Sequence, residues 1–157
     1  MDRTIGVSSA DLAAVAQSLN RLLADEHVLY IKTRNAHWNI EGIDFHLQHK
    51  FFEEQYKKLE SIIDDVAERI RALGHYAVGS MQKFLELSHL MEQTRERNDS
   101  RGYIRDLLAD HETIILHIRE NIGRYANEWH DQGSSDFITD LMKFHEKMAW
   151  MLRAHLK

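Results

Sequence analysis

Among the side chains able to bind a transition metal in HWNIEGIDFHLQHKFFEEQYKKLESIIDDVAER, five stand out by their spacing: His37, His49, Glu53, Asp64 and Glu68. His49 and Glu53 are four apart, as are Asp64 and Glu68. On a helix, residues four apart sit one above the other on one face. Each carboxylate pair or His–carboxylate pair is then poised as a unit. Imidazole with carboxylate is a ligand mix suited to first-row metals, iron and zinc included.

The two pairs cannot meet within one chain. From Phe45 to about Leu73 there is neither Pro nor Gly, and apolar residues recur at helical spacing. At a rise of 1.5 Å per residue, His49 and Asp64 are roughly 22 Å apart along such a helix, and Glu53 and Asp64 about 16 Å. Ligand bonds to zinc are only about 2 Å long. Two copies of the helix, antiparallel about a two-fold axis near Lys58 and Leu59, would bring His49 and Glu53 of one chain to Asp64 and Glu68 of the other. Symmetry makes two such sites. His37 ends the preceding helix, and the short Asn39–Asp44 connection folds it back toward His49. Any one of these residues is also at home on a solvated helix face; the set as a whole is not.

The motifs NAHWN at 35–39, HKFFEE at 49–54 and DDVAERIRALG at 64–74, with the spacings between them, resemble the Dps-like mini-ferritins, DNA-protection proteins of starved cells in the ferritin-like superfamily. The likeness covers nearly the whole chain. It implies Fe(II) oxidation, with hydrogen peroxide more readily than dioxygen, at sites shared by two subunits. Two irons per site are implied, with zinc as a substitute, and ferric mineral stored in a hollow homo-oligomeric shell of twelve. His37, His49 and Glu53 would come from one subunit, Asp64 and Glu68 from its partner. Position 53 is often Asp in the family; Glu reaches farther, which bears on the second metal position. Trp38, beside His37, either packs over the site and takes up stray oxidising equivalents or serves as a core aromatic. Asp131, Asp136 and Asp140 flank the start of the last helix. Read alone, they suit a helix N-terminus, where acids cap and complement the dipole. The resemblance adds a three-fold pore through which iron enters.

Composition narrows the classes. A chain of 157 residues, 43% apolar and 29% charged, suits one ferritin-like domain with a sizeable core, preceded by a short tail over 1–8. No Pro and only 7 Gly favour long helices. No apolar run is long enough for a membrane span. The absence of Cys removes thiolate sites and, with no signal-peptide pattern, points to the cytoplasm. A net charge of −5 leans against generic nucleic-acid binding. Some family members bind DNA through a Lys-rich tail, but residues 1–9 hold Arg3 alone as a base, so DNA binding is expected to be weak or absent. A nucleoid-binding protein with little ferroxidase activity is the competing function; a zinc-stapled bundle is a third.

The remaining pattern gives an all-α, ferritin-like four-helix bundle with a short extra helix in the long connection between the second and third helices. Helix one is expected from about Ala10 to Ala36, capped by Ser8 or Ser9. The second runs to Gly74, and MQKFLEL at 81–87 forms the short helix, capped by Ser80. Glu92–Gly102 reads as a loop, Tyr103–Trp129 as the third long helix, HDQGSS at 130–135 as a turn, and Asp136–Ala154 as the last helix. His27 reads as a capping or surface residue, and His111, His117 and His145 as packing or surface residues. The HExxH pattern fails at both His111 and His145.

Overall fold

The computed structural model describes residues 5–92 and 95–157. The first four residues of the expected tail, and Gln93 and Thr94 of the expected loop, lie outside them. Among the described residues there are five helices and no strand: α1 Ser9–Asn39, α2 Phe45–Ala72, α3 Met81–Leu87, α4 Ser100–Asn127 and α5 Gln132–Ala154. α1 and α2 form one long hairpin and α4 and α5 a second. The crossover between them carries α3, which packs on α1. α1 also meets α4, and α2 meets α5, closing a four-helix bundle.

Local chemistry sets the helix ends. Ser8 caps α1 by accepting from the Asp11 N–H at 3.1 Å, and Ser80 caps α3 by accepting from Lys83 N–H. Gly42 turns the chain between α1 and α2 at φ +133°, and Gly74 ends α2 at φ +95°, backbone that a side chain rarely tolerates. Along α2, Phe52, Leu59, Ile62, Val66 and Ile70 recur at three-, four- and seven-residue spacing, and all are fully buried. This buried stripe fixes which face of α2 meets the core and leaves Asp64 and Glu68 on the other face in solvent.

Two helix starts differ from the sequence expectation, for one reason. α4 begins at Ser100, not Tyr103, because the Asp99 carboxylate caps the Gly102 N–H at 2.9 Å. α5 begins at Gln132, not Asp136, because Asp131 caps the Ser134 N–H at 3.0 Å. Gly and Ser, which read as turn formers, sit in first turns stabilised by an aspartate just before them. His27 is neither a cap nor a surface residue: its ring stacks on Phe84 at 4.1 Å, and burial lowers its pKa. Of the apolar side chains of α3, Phe84 is buried and Leu87 half-buried against the core, while Leu85 is exposed.

A polar chain crosses the core. Glu26 of α1, His145 of α5 and His111 of α4 are each 0% exposed. His145 Nε2–H donates to Glu26 Oε1 at 2.6 Å, and the His111 and His145 Nδ1 atoms are 2.9 Å apart. That contact needs one donor and one acceptor, so only one ring carries a proton on Nδ1. Burial, and then the neighbouring His145, hold the His111 pKa well below its ordinary value. His111 therefore resists the proton that it accepts near pH 6.5 when unfolded. The unfolded chain binds more protons, so this histidine favours folding above that pH and disfavours it progressively as pH falls. Thermal melts at fixed protein concentration from about pH 7 to pH 5 should show a falling midpoint. In His111→Leu the fall should be shallower; an unchanged slope would mean that acid acts elsewhere.

Candidate metal centre

The α1–α2 corner builds the centre. His37 lies in the last turn of α1, where carbonyls lack intrahelical partners. His49 lies in the second turn of α2. The two side chains cross: His37 Nδ1–H donates to the His49 carbonyl and His49 Nδ1–H to the His37 carbonyl, both at 2.7 Å. A carbonyl can only accept, so both Nδ1 atoms carry hydrogen. In the neutral rings each Nε2 then presents a lone pair, the form that binds a metal. The rings stack at 3.8 Å with their planes 16° apart, so both are held in one orientation.

The surroundings of the pair are aromatic. Tyr56 of α2 meets His37 edge-on at 5.1 Å, and Phe45 stacks on His49 at 5.1 Å. His37 is buried at 7% exposure. Trp38 does not occupy this place within the chain. Its side chain is 60% exposed, with the Arg34 guanidinium 5.1 Å from its ring. The same guanidinium lies over Tyr56 and donates to the Tyr30 hydroxyl at 2.7 Å. Sequence reasoning missed Tyr56. Its signal was available, since it lies seven residues, two helical turns, past His49.

The carboxylates divide as the spacing requires. Glu53 is half-buried one turn beyond His49, with Lys57 Nζ 3.5 Å away. Asp64 and Glu68 are exposed and, among the described residues, make no hydrogen bond or ion pair. α2 is continuous from Phe45 to Ala72, so fifteen residues of unbroken helix, roughly 22 Å, separate His49 from Asp64. Among the described residues no three His, Asp or Glu side chains converge on one point. One chain thus brings His37 and His49 together, with Glu53 on the same face, and leaves Asp64 and Glu68 remote.

Comparison with known proteins identifies the frame. Residues 16–157 match the family model of the ferritin-like domain. The chain is a Dps-like mini-ferritin. It is 40% identical over 153 residues to an uncharacterized low temperature-induced protein of Nostoc sp. (strain PCC 7120), covering 98% of this chain and 86% of that one. It is 34% identical over 142 residues to DNA protection during starvation protein 2 of Bacillus anthracis, covering 90% and 96%. The crystal structure of a Dps protein from Vibrio cholerae O1, described as belonging to the ferritin-like diiron-carboxylate proteins, superposes with a TM-score of 0.92 at 34% identity, over 99% of this chain and 96% of that one.

The acids near α5 fall into two kinds. Asp131 is 5% exposed and fully engaged. Oδ1 accepts from Ser134 N–H and from Arg69 at 3.3 Å, and Oδ2 accepts from the Ser134 hydroxyl at 2.5 Å. Arg69 also donates to Ser134 Oγ at 3.0 Å, fastening the end of this mini-ferritin's α2 to the start of α5. Asp136 and Asp140 are exposed, the first accepting from Gln132 and the second near Lys143 at 3.1 Å. Asp131→Ala should therefore lower stability by about 1–2 kcal/mol, the usual loss for a removed cap, and leave Arg69 without its carboxylate partner. Asp136→Asn and Asp140→Asn should leave the thermal midpoint nearly unchanged. Equal loss in all three would remove the distinction.

Proposed function

We propose that this mini-ferritin oxidises Fe(II) at two-fold sites shared between subunits and stores the ferric product inside a shell of twelve. The observation that carries this reading is the division of one ligand set along a rigid helix. Oriented histidines stand at one end, and unpaired, exposed carboxylates stand roughly 22 Å away. An antiparallel partner helix supplies the missing half. Exposed apolar side chains at the same corner, Trp38, Ile43, Phe45 and Leu47, support burial against another chain. Membership of a family whose relatives include starvation DNA-protection proteins supports iron storage and protection in general.

Fe(II) is the substrate. His37 and His49 offer neutral nitrogen donors; Glu53, with Asp64 and Glu68 of the partner subunit, offers hard oxygens that favour the ferric product. Three carboxylates and two neutral imidazoles leave a site of net negative charge, fit for two divalent ions. Two Fe(II) each give one electron to one hydrogen peroxide; its O–O bond breaks, and two hydroxides form. Paired one-electron donors complete the reduction without releasing a hydroxyl radical. Zinc would occupy the same donors without redox chemistry. Tyr56, against His37, is placed to take up stray oxidising equivalents, with Trp38 joining it if the interface covers its exposed face.

Asp136 and Asp140 steer iron toward the cavity in this reading, with Asp131 holding their helix in place. No helix among the described residues is long and apolar enough to cross a membrane. Cytoplasmic action fits the cysteine-free chain. With a net charge of −5, no band shift with DNA is expected at neutral pH.

Stopped-flow oxidation tests the reading. Anaerobic protein loaded with Fe(II) should oxidise it on addition of one peroxide per two irons, faster than with air. Asp136→Asn/Asp140→Asn should slow uptake at low salt. The gap should narrow as the Debye length falls from about 30 Å at 0.01 M to about 10 Å at 0.1 M. A double variant equal to wild type at low salt would mean that iron enters elsewhere.

A further inference from the structure

A second pair of stacked histidines lies away from the α1–α2 corner. A cleft of about 350 Å³ opens between α1 and α4, beside the crossover. Asp25 of α1, His89 of the crossover and His117 of α4 line it, with Arg21, Asn121 and Arg124. The His89 and His117 rings stack at 3.8 Å with planes 22° apart, nearly the arrangement of His37 and His49.

Asp25 fixes one of the two rings. Its carboxylate is 1% exposed, and it accepts three hydrogen bonds: from the Ser88 hydroxyl at 2.8 Å, the His89 N–H at 2.6 Å and His89 Nδ1–H at 2.9 Å. One buried acid thus holds both the backbone and the ring of His89. With the proton on Nδ1, Nε2 carries the lone pair. His117 Nδ1 lies 3.5 Å from Glu120 Oε2, one turn along α4. Each histidine side chain is 35% exposed, and neither Nε2 has a partner among the described residues. A buried carboxylate that accepts from Nδ1–H and so orients a half-exposed histidine is the outer-shell arrangement of a metal ligand, and a second imidazole lies within reach beside it.

We propose that His89 and His117 form a second metal site: lone pairs in nearly parallel stacked planes do not meet on one ion, so the half-exposed His117 ring turns out of the stack and its Nε2, with that of the anchored His89, holds one divalent first-row cation such as Zn²⁺. Two imidazoles select such a cation over magnesium or calcium, which prefer oxygen. No third His, Asp or Glu converges here in the described arrangement, so the site is open, with water in the remaining positions and Glu120 one turn from His117. Arg124 does not oppose the cation with its full charge, since Glu128 takes its guanidinium at 3.1 Å. Arg21, at the cleft, favours an anion as a further ligand of the bound metal.

Zn²⁺ titration of the assembled full-length protein by calorimetry tests this, with Cu²⁺ electron paramagnetic resonance as a second readout. Wild type should bind one more Zn²⁺ per chain than His117→Ala. The Cu²⁺ spectrum should lose the signal of one imidazole nitrogen in that variant. Peroxide-driven iron oxidation should be unchanged, because neither histidine belongs to the α1–α2 centre. Asp25→Asn keeps both histidines but loosens His89, and should weaken this class of site about 10–100-fold. If His89→Ala fails to fold, His117→Ala decides alone, since His117 takes no part in the Asp25 anchor. Equal Zn²⁺ stoichiometry in wild type and His117→Ala would overturn the proposal and leave Asp25 and His89 as a clasp for the crossover.

Discussion

The crossed hydrogen bonds between His37 and His49 are the constraint on which the centre depends. Each imidazole uses the other residue's carbonyl to settle its tautomer, and the exchange ties the last turn of α1 to the second turn of α2. The same two bonds therefore close a helix hairpin and leave two Nε2 lone pairs in the form that the proposed centre needs. The His37 carbonyl is one of those that a helix C-terminus leaves without a partner. The orientation of the two rings thus answers a structural need that the fold had in any case.

Rigidity then works against completion of a site within one chain. α2 runs without a break from Phe45 to Ala72 because its buried stripe is continuous and no residue in it disrupts the helix. A helix that holds His49 and Glu53 so firmly cannot bend to bring Asp64 and Glu68 to them. Among the described residues those two carboxylates remain solvated and unpaired, while comparable acids elsewhere are used: Asp131 by Arg69 and Ser134, Asp25 by His89 and Ser88. Free carboxylates on a stiff face, with exposed apolar side chains at the corner, fit a surface that a second chain covers.

Much of this is legible in the amino-acid sequence. The four-residue spacings, the helix rise and the capping serines depend on local geometry, and α1, α2 and α3 end close to where those signals put them. What is not legible depends on partners distant in sequence. Asp131 reads as one acid of a set of three; its role follows from Arg69, sixty-two residues earlier. His111 and His145 read as packing residues, which they are, yet nothing in either neighbourhood announces Glu26 as the acceptor that makes their burial tolerable. The stacking of His89 on His117 depends on where the crossover lays residue 89 against α4, and no periodicity encodes that.

The sharing of one ligand set between two chains is the central claim, and mixed assemblies test it most directly. His49→Ala and Asp64→Ala should each abolish fast iron oxidation when assembled alone. In a mixed pair, one site receives both lesions and the other receives neither. Shells refolded together from the two variants should regain oxidation, up to half the wild-type rate in each mixed pair, with mass spectrometry verifying that mixed pairs formed. Mixed pairs that form and stay inactive would mean that the ligands act within a single chain, and the account would fail.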